Sequence, residues 1–306
     1  MRHLITIFDL SAGEIESIFA ITRDLKTKFE KGIREPLLPG RVMALLFEKP
    51  SLRTRVSFEA CMAHLGGGSM FLGPDVGFGK RESIADFGRV LSEYVDVIVA
   101  RMYKHETINE LATHCSCSVI NGLTDLSHPC QALADLYTLR EKYGRLAGRK
   151  LVWIGDGNNV ARSLATGAAL LGMEFVAATP PGYEFDAPFL ARLKNQVPAA
   201  QVTVLHDPYE AVQGAMAIYT DVWTSMGQEK ELEQRKKDFA AYQVNEKLMA
   251  HAPADACFMH CLPACRGLEV TDGVIDGPQS VVVVEAANRM HVQKGILAWM
   301  LGARGK

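Results

Sequence analysis

The chain has 306 residues, of which 48% are hydrophobic, 22% charged and 8% aromatic, with a formal net charge of −2. That length favours two α/β domains over one, and the composition is that of a globular protein able to bury a sizeable core. A nearly balanced charge argues against nucleic acid or an anionic membrane as partner, and no apolar run approaches the ~20 residues needed to span a bilayer. The start, Met1-Arg2-His3-Leu4-Ile5, carries no signal or transit pattern. The seven cysteines are odd in number and lack paired CxxC spacing, so reduced thiols in a cytoplasm are expected and a bound metal is not.

Ser11 with Glu14 three residues later forms a capping box, and Ile15, Ile18, Phe19, Thr22, Leu25 and Phe29 then recur at helical spacing. Val42 to Phe47 is apolar on both faces and reads as a buried strand. A turn with Pro50 follows, then a helix from near Thr54 with Phe58, Cys61, Met62 and Leu65 on one face, ended by Gly66-Gly67-Gly68. Val95 to Ala100 and, more weakly, Ser118 to Asn121 are strands, and Pro129 to about Lys142 is helical. Tyr143 to Gly148 is the best candidate boundary between domains. Beyond it the alternation restarts: strand Lys150 to Ile154, turn Gly155 to Asn159, helix Val160 to Gly172. Strands are expected at Phe175–Ala178, Ala215–Thr220, Cys257–His260 and Val281–Val284. The expected fold is therefore α/β, two doubly wound parallel-sheet α/β/α domains, with ligands at the C-terminal strand ends.

Ser51-Leu52-Arg53-Thr54-Arg55 lies where a strand passes into a helix. A helix N-terminus presents unpaired N–H groups and partial positive charge, and two arginines with two hydroxyls add charged and neutral donors. The alternative is a capped helix with two solvated arginines; the density of donors favours an anion site. Arg101, after another strand, and His128, before a helix start, share that edge of the sheet. In the second half, Asp221-Val222-Trp223-Thr224-Ser225-Met226-Gly227 follows a strand. Asp221 suits an ammonium group, while Ser225 and the Met226 amide suit a carboxylate; a helix N-cap region explains the spacing equally well.

The string Phe47-Glu48-Lys49-Pro50-Ser51-Leu52-Arg53-Thr54-Arg55-Val56-Ser57-Phe58-Glu59 resembles the carbamoyl-phosphate signature of the aspartate/ornithine carbamoyltransferase superfamily. His128-Pro129-Cys130-Gln131 resembles its second signature. The Asp221 loop is similar to the ornithine branch's Asp-x-x-x-Ser-Met-Gly, His260-Cys261-Leu262-Pro263 to its His-Cys-Leu-Pro, and Gly155 to Asn159 to its acceptor turn. The likeness extends from about residue 40 to residue 295.

This resemblance implies a carbamoyl-phosphate-binding domain over 1–145, with the C-terminal helix from about 288 to 306 packed back on it. It implies an ornithine-binding domain over 146–287, and interdomain helices joining the two. For carbamoyl phosphate it implies Ser51, Leu52, Arg53, Thr54, Arg101, His128, Gln131, Cys261, Leu262 and Arg289, with Thr54, Arg101, His128 and Cys261 closest to the chemistry. For ornithine it implies Asn159, Asp221, Ser225 and Met226. Carbamoyl phosphate and L-ornithine are the implied small-molecule partners, a homotrimer or multiple of trimers the implied assembly, and no cofactor is needed.

The sequence departs from the family pattern in two places. Leu52 replaces the commoner Thr, and Gly77 stands where Gln or His usually reaches the neighbouring subunit's phosphate, leaving Lys80 or Arg81 as the candidate for that contact, Lys80 being the one expected. Among rivals, a nicotinamide-dependent dehydrogenase fits poorly: Val160 occupies the third glycine position of GxGxxG, and Ala177-Ala178-Thr179 lacks the acidic residue. A non-catalytic relative would need a broken donor motif, and an enzyme for N-acylated ornithine would lack the Ser-Met-Gly loop.

Overall fold

A computed structural model describes residues 2–224 and 229–302. The chain divides into two compact units, one of residues 1–137 with 288–306 and the other of residues 138–287.

In the first unit, α1 (Ala12–Glu30) is opened by the capping box, Glu14 N donating to Ser11 Oγ and Ser11 N to Glu14 Oε2. There follow β1 (Val42–Phe47), α2 (Leu52–His64), β2 (Gly68–Leu72), α3 (Ile84–Leu91), β3 (Val97–Arg101), α4 (His105–His114), β4 (Ser118–Leu123) and α5 (Pro129–Tyr143). The four strands are parallel in the order β2-β1-β3-β4. Phe58, Cys61 and Met62, on one face of α2, are fully buried. Burial of side chains such as Phe58 and Met62 contributes roughly 1.5–3 kcal/mol each, which fixes the helix over the sheet.

In the second unit come β5 (Lys150–Ile154), α6 (Asn159–Leu170), β6 (Glu174–Ala178), α7 (Ala187–Gln196), β7 (Gln201–Leu205), α8 (Pro208–Ala211) and β8 (Ala217–Thr220). Then follow α9 (Leu232–Asp238), α10 (Glu246–Met249), β9 (Cys257–Met259) and α11 (Asp272–Ile275), and last α12 (Val282–Leu301), which starts in this unit and from Asn288 onward belongs to the first. The parallel order is β7-β6-β5-β8-β9. Each sheet reverses direction of growth once, between β1 and β3 and between β5 and β8, and such switch points open a crevice at the C-terminal strand ends. The chain passes between units within α5 and again within α12.

Two expectations need correction. Val281–Val284 is not a strand: only Ser280 bridges Phe258, Glu285 N bonds to Val281 O at 2.8 Å, and Val283 is 76% exposed. The β-branched run favours a strand locally. It is overridden by the later turns of α12, where Val292, Ile296 and Leu297 are fully buried. The second helix begins at Leu52 rather than near Thr54, because Ser51 caps it by accepting from Thr54 N. The elements β2, α3, α4, α7, β7, α8, α9, α10 and α11 are not among those expected from the sequence.

Candidate functional site

In the first unit the site is built at the switch point. Phe47 pairs in register with Arg101, and Glu48 N donates to Arg101 O at 2.9 Å, so the ends of β1 and β3 are locked together. Ser51 Oγ accepts from Thr54 N and donates to Thr54 Oγ1 at 2.9 Å. Thr54 is fully buried, whereas Leu52 is 78% exposed. The aliphatic side chain of Leu52 has nothing to offer an anion, so only its backbone N–H at the helix start could do so. Arg53 is exposed at the same helix start. Arg55 is committed elsewhere, to Glu59 at 3.0 Å and to the Phe71 ring.

Arg289, brought in by α12, is forked. Its Nη2 donates to Thr54 Oγ1 at 2.6 Å and its Nη1 to Gln131 Oε1 at 3.1 Å, while Gln131 Nε2 donates to Asp135 Oδ1 at 2.8 Å. Arg101 is buried, and its Nε has no hydrogen-bond partner among the described residues. Burial, then Arg289 and Arg53, push its pKa down to about 10. Burial, followed by Arg289, Arg101 and Lys49, holds His128 well below the ordinary imidazole range, so it is neutral at working pH. Lys49 is also buried and belongs to this group; burial and Arg101 push it down to about 8. Crowding buried cations is costly unless an anion joins them. This cluster is therefore shaped for a multiply charged anion. The sequence concealed Lys49, since a lysine between Glu48 and Pro50 reads as a solvated loop charge.

In the second unit the corresponding switch point carries Asn158, after β5, and Asp221, after β8. Asn158 is the N-cap of α6, accepting from Val160 N and Ala161 N, and its Nδ2 donates to Asp221 Oδ2 at 3.1 Å. Asp221 is buried, and its Oδ1 accepts from Val222 N at 2.8 Å and Cys261 Sγ at 3.2 Å. Asp221, Asn158 and Cys261 thus form one polar group. In the sequence Asn158 is legible only as a cap just before the helix, and its bond to Asp221 is not. Asn159 is the first residue of α6, its Oδ1 accepting from Val160 N at 3.0 Å. Ser225 and Met226 lie outside the described residues.

The turn is held from behind by Asp156, which accepts from Arg235 Nη1 at 2.8 Å. Burial raises the Asp156 carboxyl despite this partner. Gly157 could not carry a Cβ, which would lie 2.8 Å from Phe185 N and 2.9 Å from Glu184 O.

Leu262 sits at φ 55, a left-handed conformation unfavourable for its side chain, with a cis peptide to Pro263. Its N–H donates to His260 Nδ1 at 2.9 Å, and His260 Nε2 contacts Glu269 Oε1 at 3.2 Å. These partners assign the proton to Nε2. Candidate metal-ligand atoms of Asp221, His260 and Cys261 lie within 4.8 Å of one another. Both imidazole nitrogens are already engaged, however, so His260 acts as a strut and could bind a metal only by breaking one of these bonds. Lys80 lies exposed in the turn closed by its own N–H to Gly77 O at 2.9 Å.

Two parallel-sheet units, one with a buried cation cluster at its switch point and the other with a buried carboxylate, define a two-unit protein of the doubly wound α/β class. Residues 2–141 match the family described as aspartate/ornithine carbamoyltransferase, carbamoyl-P binding domain, and residues 147–300 its Asp/Orn binding domain. The chain belongs to the aspartate/ornithine carbamoyltransferase family.

The chain is 51% identical to ornithine carbamoyltransferase of Pyrococcus abyssi over 304 residues, 98% of this chain and 96% of that protein. It is 50% identical to the anabolic ornithine carbamoyltransferase of Pyrococcus furiosus over 304 residues, again 98% and 96% of the two chains. The solved P. furiosus ornithine carbamoyltransferase superposes with TM-score 0.95 at 49% identity, covering 100% of this chain and 98% of that one. The Thermus thermophilus ornithine carbamoyltransferase gives 0.88 at 41% identity, covering 98% and 99%.

Proposed function

We propose that this chain transfers the carbamoyl group from carbamoyl phosphate to the side-chain amine of L-ornithine, giving L-citrulline and phosphate in arginine biosynthesis. The observation that carries the reading is the Arg289 fork on Thr54 and Gln131 beside Arg101 and His128. It fits a carbonyl and a phosphoryl group on one small molecule. Ornithine as acceptor rests on the names of the relatives at about half identity, supported by the buried Asp221 group.

The reaction is acyl transfer from a mixed anhydride. The amine nitrogen attacks the carbonyl carbon, a C–N bond forms, the C–O bond to phosphate breaks, and phosphate leaves with the electron pair. The amine must be neutral to attack. With a lysine-like pKa of ~10.4, roughly one molecule in a thousand is neutral near pH 7.4, at a cost of about 4 kcal/mol. Asp221 therefore serves the α-ammonium, because a carboxylate beside the attacking amine would raise its pKa further. The attacking nitrogen belongs near the Cys261 and Leu262 carbonyls.

Oxyanion charge on the carbonyl oxygen falls to Thr54, Arg101 and neutral His128 as donors. Gln131 and Arg289 hold the carbamoyl group. Arg53 and the amides of Ser51, Leu52 and Thr54 carry the phosphate, which takes the amine's proton as it departs. Asn159, Ser225 and Met226 complete the acceptor site, and Lys80 reaches a neighbouring subunit in a cytoplasmic homotrimer or multiple of trimers.

Incubation with both substrates should release phosphate and citrulline in equal amounts. Phosphate release that is indifferent to ornithine contradicts the proposal.

A further inference from the structure

We propose that Lys49 is a further cationic ligand of the donor phosphate, its ammonium contacting the phosphoryl group when carbamoyl phosphate is bound. This deepens the function proposed above and rests on it.

Lys49 is two residues past the end of β1, whose last residue pairs with Arg101. It immediately precedes the Pro50-Ser51 entry into α2, so its backbone is fixed on both sides. It is only 7% exposed. The ammonium lies 5.1 Å from the centre of the Tyr103 ring and has no hydrogen bond or ion pair among the described residues. A buried lysine normally has a carboxylate partner. Here the nearby acids are occupied: Glu48 Oε2 accepts from Tyr103 N at 2.7 Å, and Asp125 accepts from His105 N at 2.8 Å and pairs with Lys104 at 3.5 Å.

The charged and titratable groups facing Lys49 are Glu48 from its own strand end, Arg101 from β3, and Asp125 and His128 from the segment between β4 and α5. Burial and Arg101 dominate and leave the ammonium at about 8. A buried ammonium that neighbouring cations destabilise, without a committed counter-ion, is a group whose missing partner is an anion. Arg101, which shares its field, already belongs to the proposed donor site.

The sign of the pH effect follows. In the free protein Lys49 loses its proton as pH rises through about 8. A bound phosphate favours the ammonium, so binding above that pH must recover the proton, and affinity falls by up to roughly tenfold per pH unit. Below about pH 7 the contribution is fully present.

The test compares wild type with Lys49→Met and Lys49→Arg between pH 6.5 and 9. Measured quantities are the KM for carbamoyl phosphate, the KM for ornithine, kcat, and the calorimetric Kd for inorganic phosphate. The variant-to-wild-type ratio at each pH cancels the ligand's own titration. Lys49→Met should weaken carbamoyl phosphate and phosphate roughly ten- to hundred-fold at pH 7. It should also lose the alkaline rise, so its ratio to wild type narrows toward pH 9. Lys49→Arg, which stays charged, should retain most of the affinity and flatten the rise. A Lys49→Met protein with a wild-type melting curve and unchanged phosphate affinity overturns the proposal. So does a uniform loss across pH, of both substrates alike, that Arg does not rescue, since that marks a packing role. If wild type makes no citrulline, the proposed function fails, while the phosphate titration still decides the role of Lys49.

Discussion

Arg289 Nη2 donates to Thr54 Oγ1 at 2.6 Å, joining residues 235 apart in sequence inside a buried cluster of positive charge. The same guanidinium reaches Gln131 at 3.1 Å, so one side chain from α12 sets the geometry of α2 and α5 together. Thr54→Val keeps the shape and removes the acceptor. Losing a charge-assisted hydrogen bond costs about 1.5–3 kcal/mol. The kcat/KM for carbamoyl phosphate should then fall roughly ten- to hundred-fold, with the KM for ornithine little changed. Steady-state kinetics check this, and a Thr54→Val enzyme with wild-type kcat/KM would sink the assignment.

Gly157→Ala should act on the acceptor side. The added methyl meets backbone at Phe185 and Glu184 rather than a flexible side chain, so the turn must move. The turn carries Asn158, whose amide holds Asp221. The expected outcome is a raised KM for ornithine, with carbamoyl phosphate affinity preserved. An equal loss for both substrates would show that Gly157 matters only for folding.

The Asp156–Arg235 pair supports that turn from below, with both side chains largely buried. Arg235 also donates to Trp223 O at 2.9 Å and to Glu231 at 2.9 Å. Asp156→Asn leaves a buried guanidinium without its best counter-charge, a change that costs about 3–5 kcal/mol in comparable sites. Glu231 and the Trp223 carbonyl keep it toward the lower end. Calorimetric melting should show a transition lowered by several degrees; an unchanged transition would mean that the pair gives no net stability.

Low pH should destabilise the protein through its buried histidines. His128 is held well below 6.5 by burial and by Arg289, Arg101 and Lys49, and His291 is pushed to about 3 by burial and then by Lys294 and Lys26. Below pH 6.5 the unfolded chain binds protons that the folded chain does not, so stability falls as pH drops, at up to about 1.4 kcal/mol per pH unit for a fully buried group. Melting temperatures from pH 7 to 5 should decline, and His291→Gln should make the decline shallower. An equally steep decline in His291→Gln would count against this account.

How much of this was legible in the sequence depended on where energy is concentrated. Strands such as β1, β3 and β5 are buried on both faces and announce themselves as apolar runs. By contrast β2 and β7 are edge strands of mixed polarity, partly exposed. Val281 to Val284 misled because β-branching is a local preference, whereas the helix there is decided by the packing of turns further on. Of the site, the Ser51 cap and the donor residues around it were readable because charge and hydroxyls are dense at a strand–helix junction. Lys49 and Asn158 carry no comparable signal. The burial of the one and the reach of the other to Asp221, 63 residues on, exist only once the sheets are formed.

The measurement closest to the central claim is the rate of formation of the carbamoylated product from carbamoyl phosphate with four acceptors in parallel: L-ornithine, which gives citrulline, N-acetylornithine, aspartate and putrescine. The buried Asp221 group should favour a free α-amino acid carrying a side-chain amine. L-ornithine should therefore give the highest kcat/KM, with putrescine, which lacks the carboxylate, and N-acetylornithine, which lacks the ammonium, each lower by at least roughly tenfold. Aspartate should give no carbamoylated product. Turnover of N-acetylornithine or aspartate above that of ornithine would contradict the account.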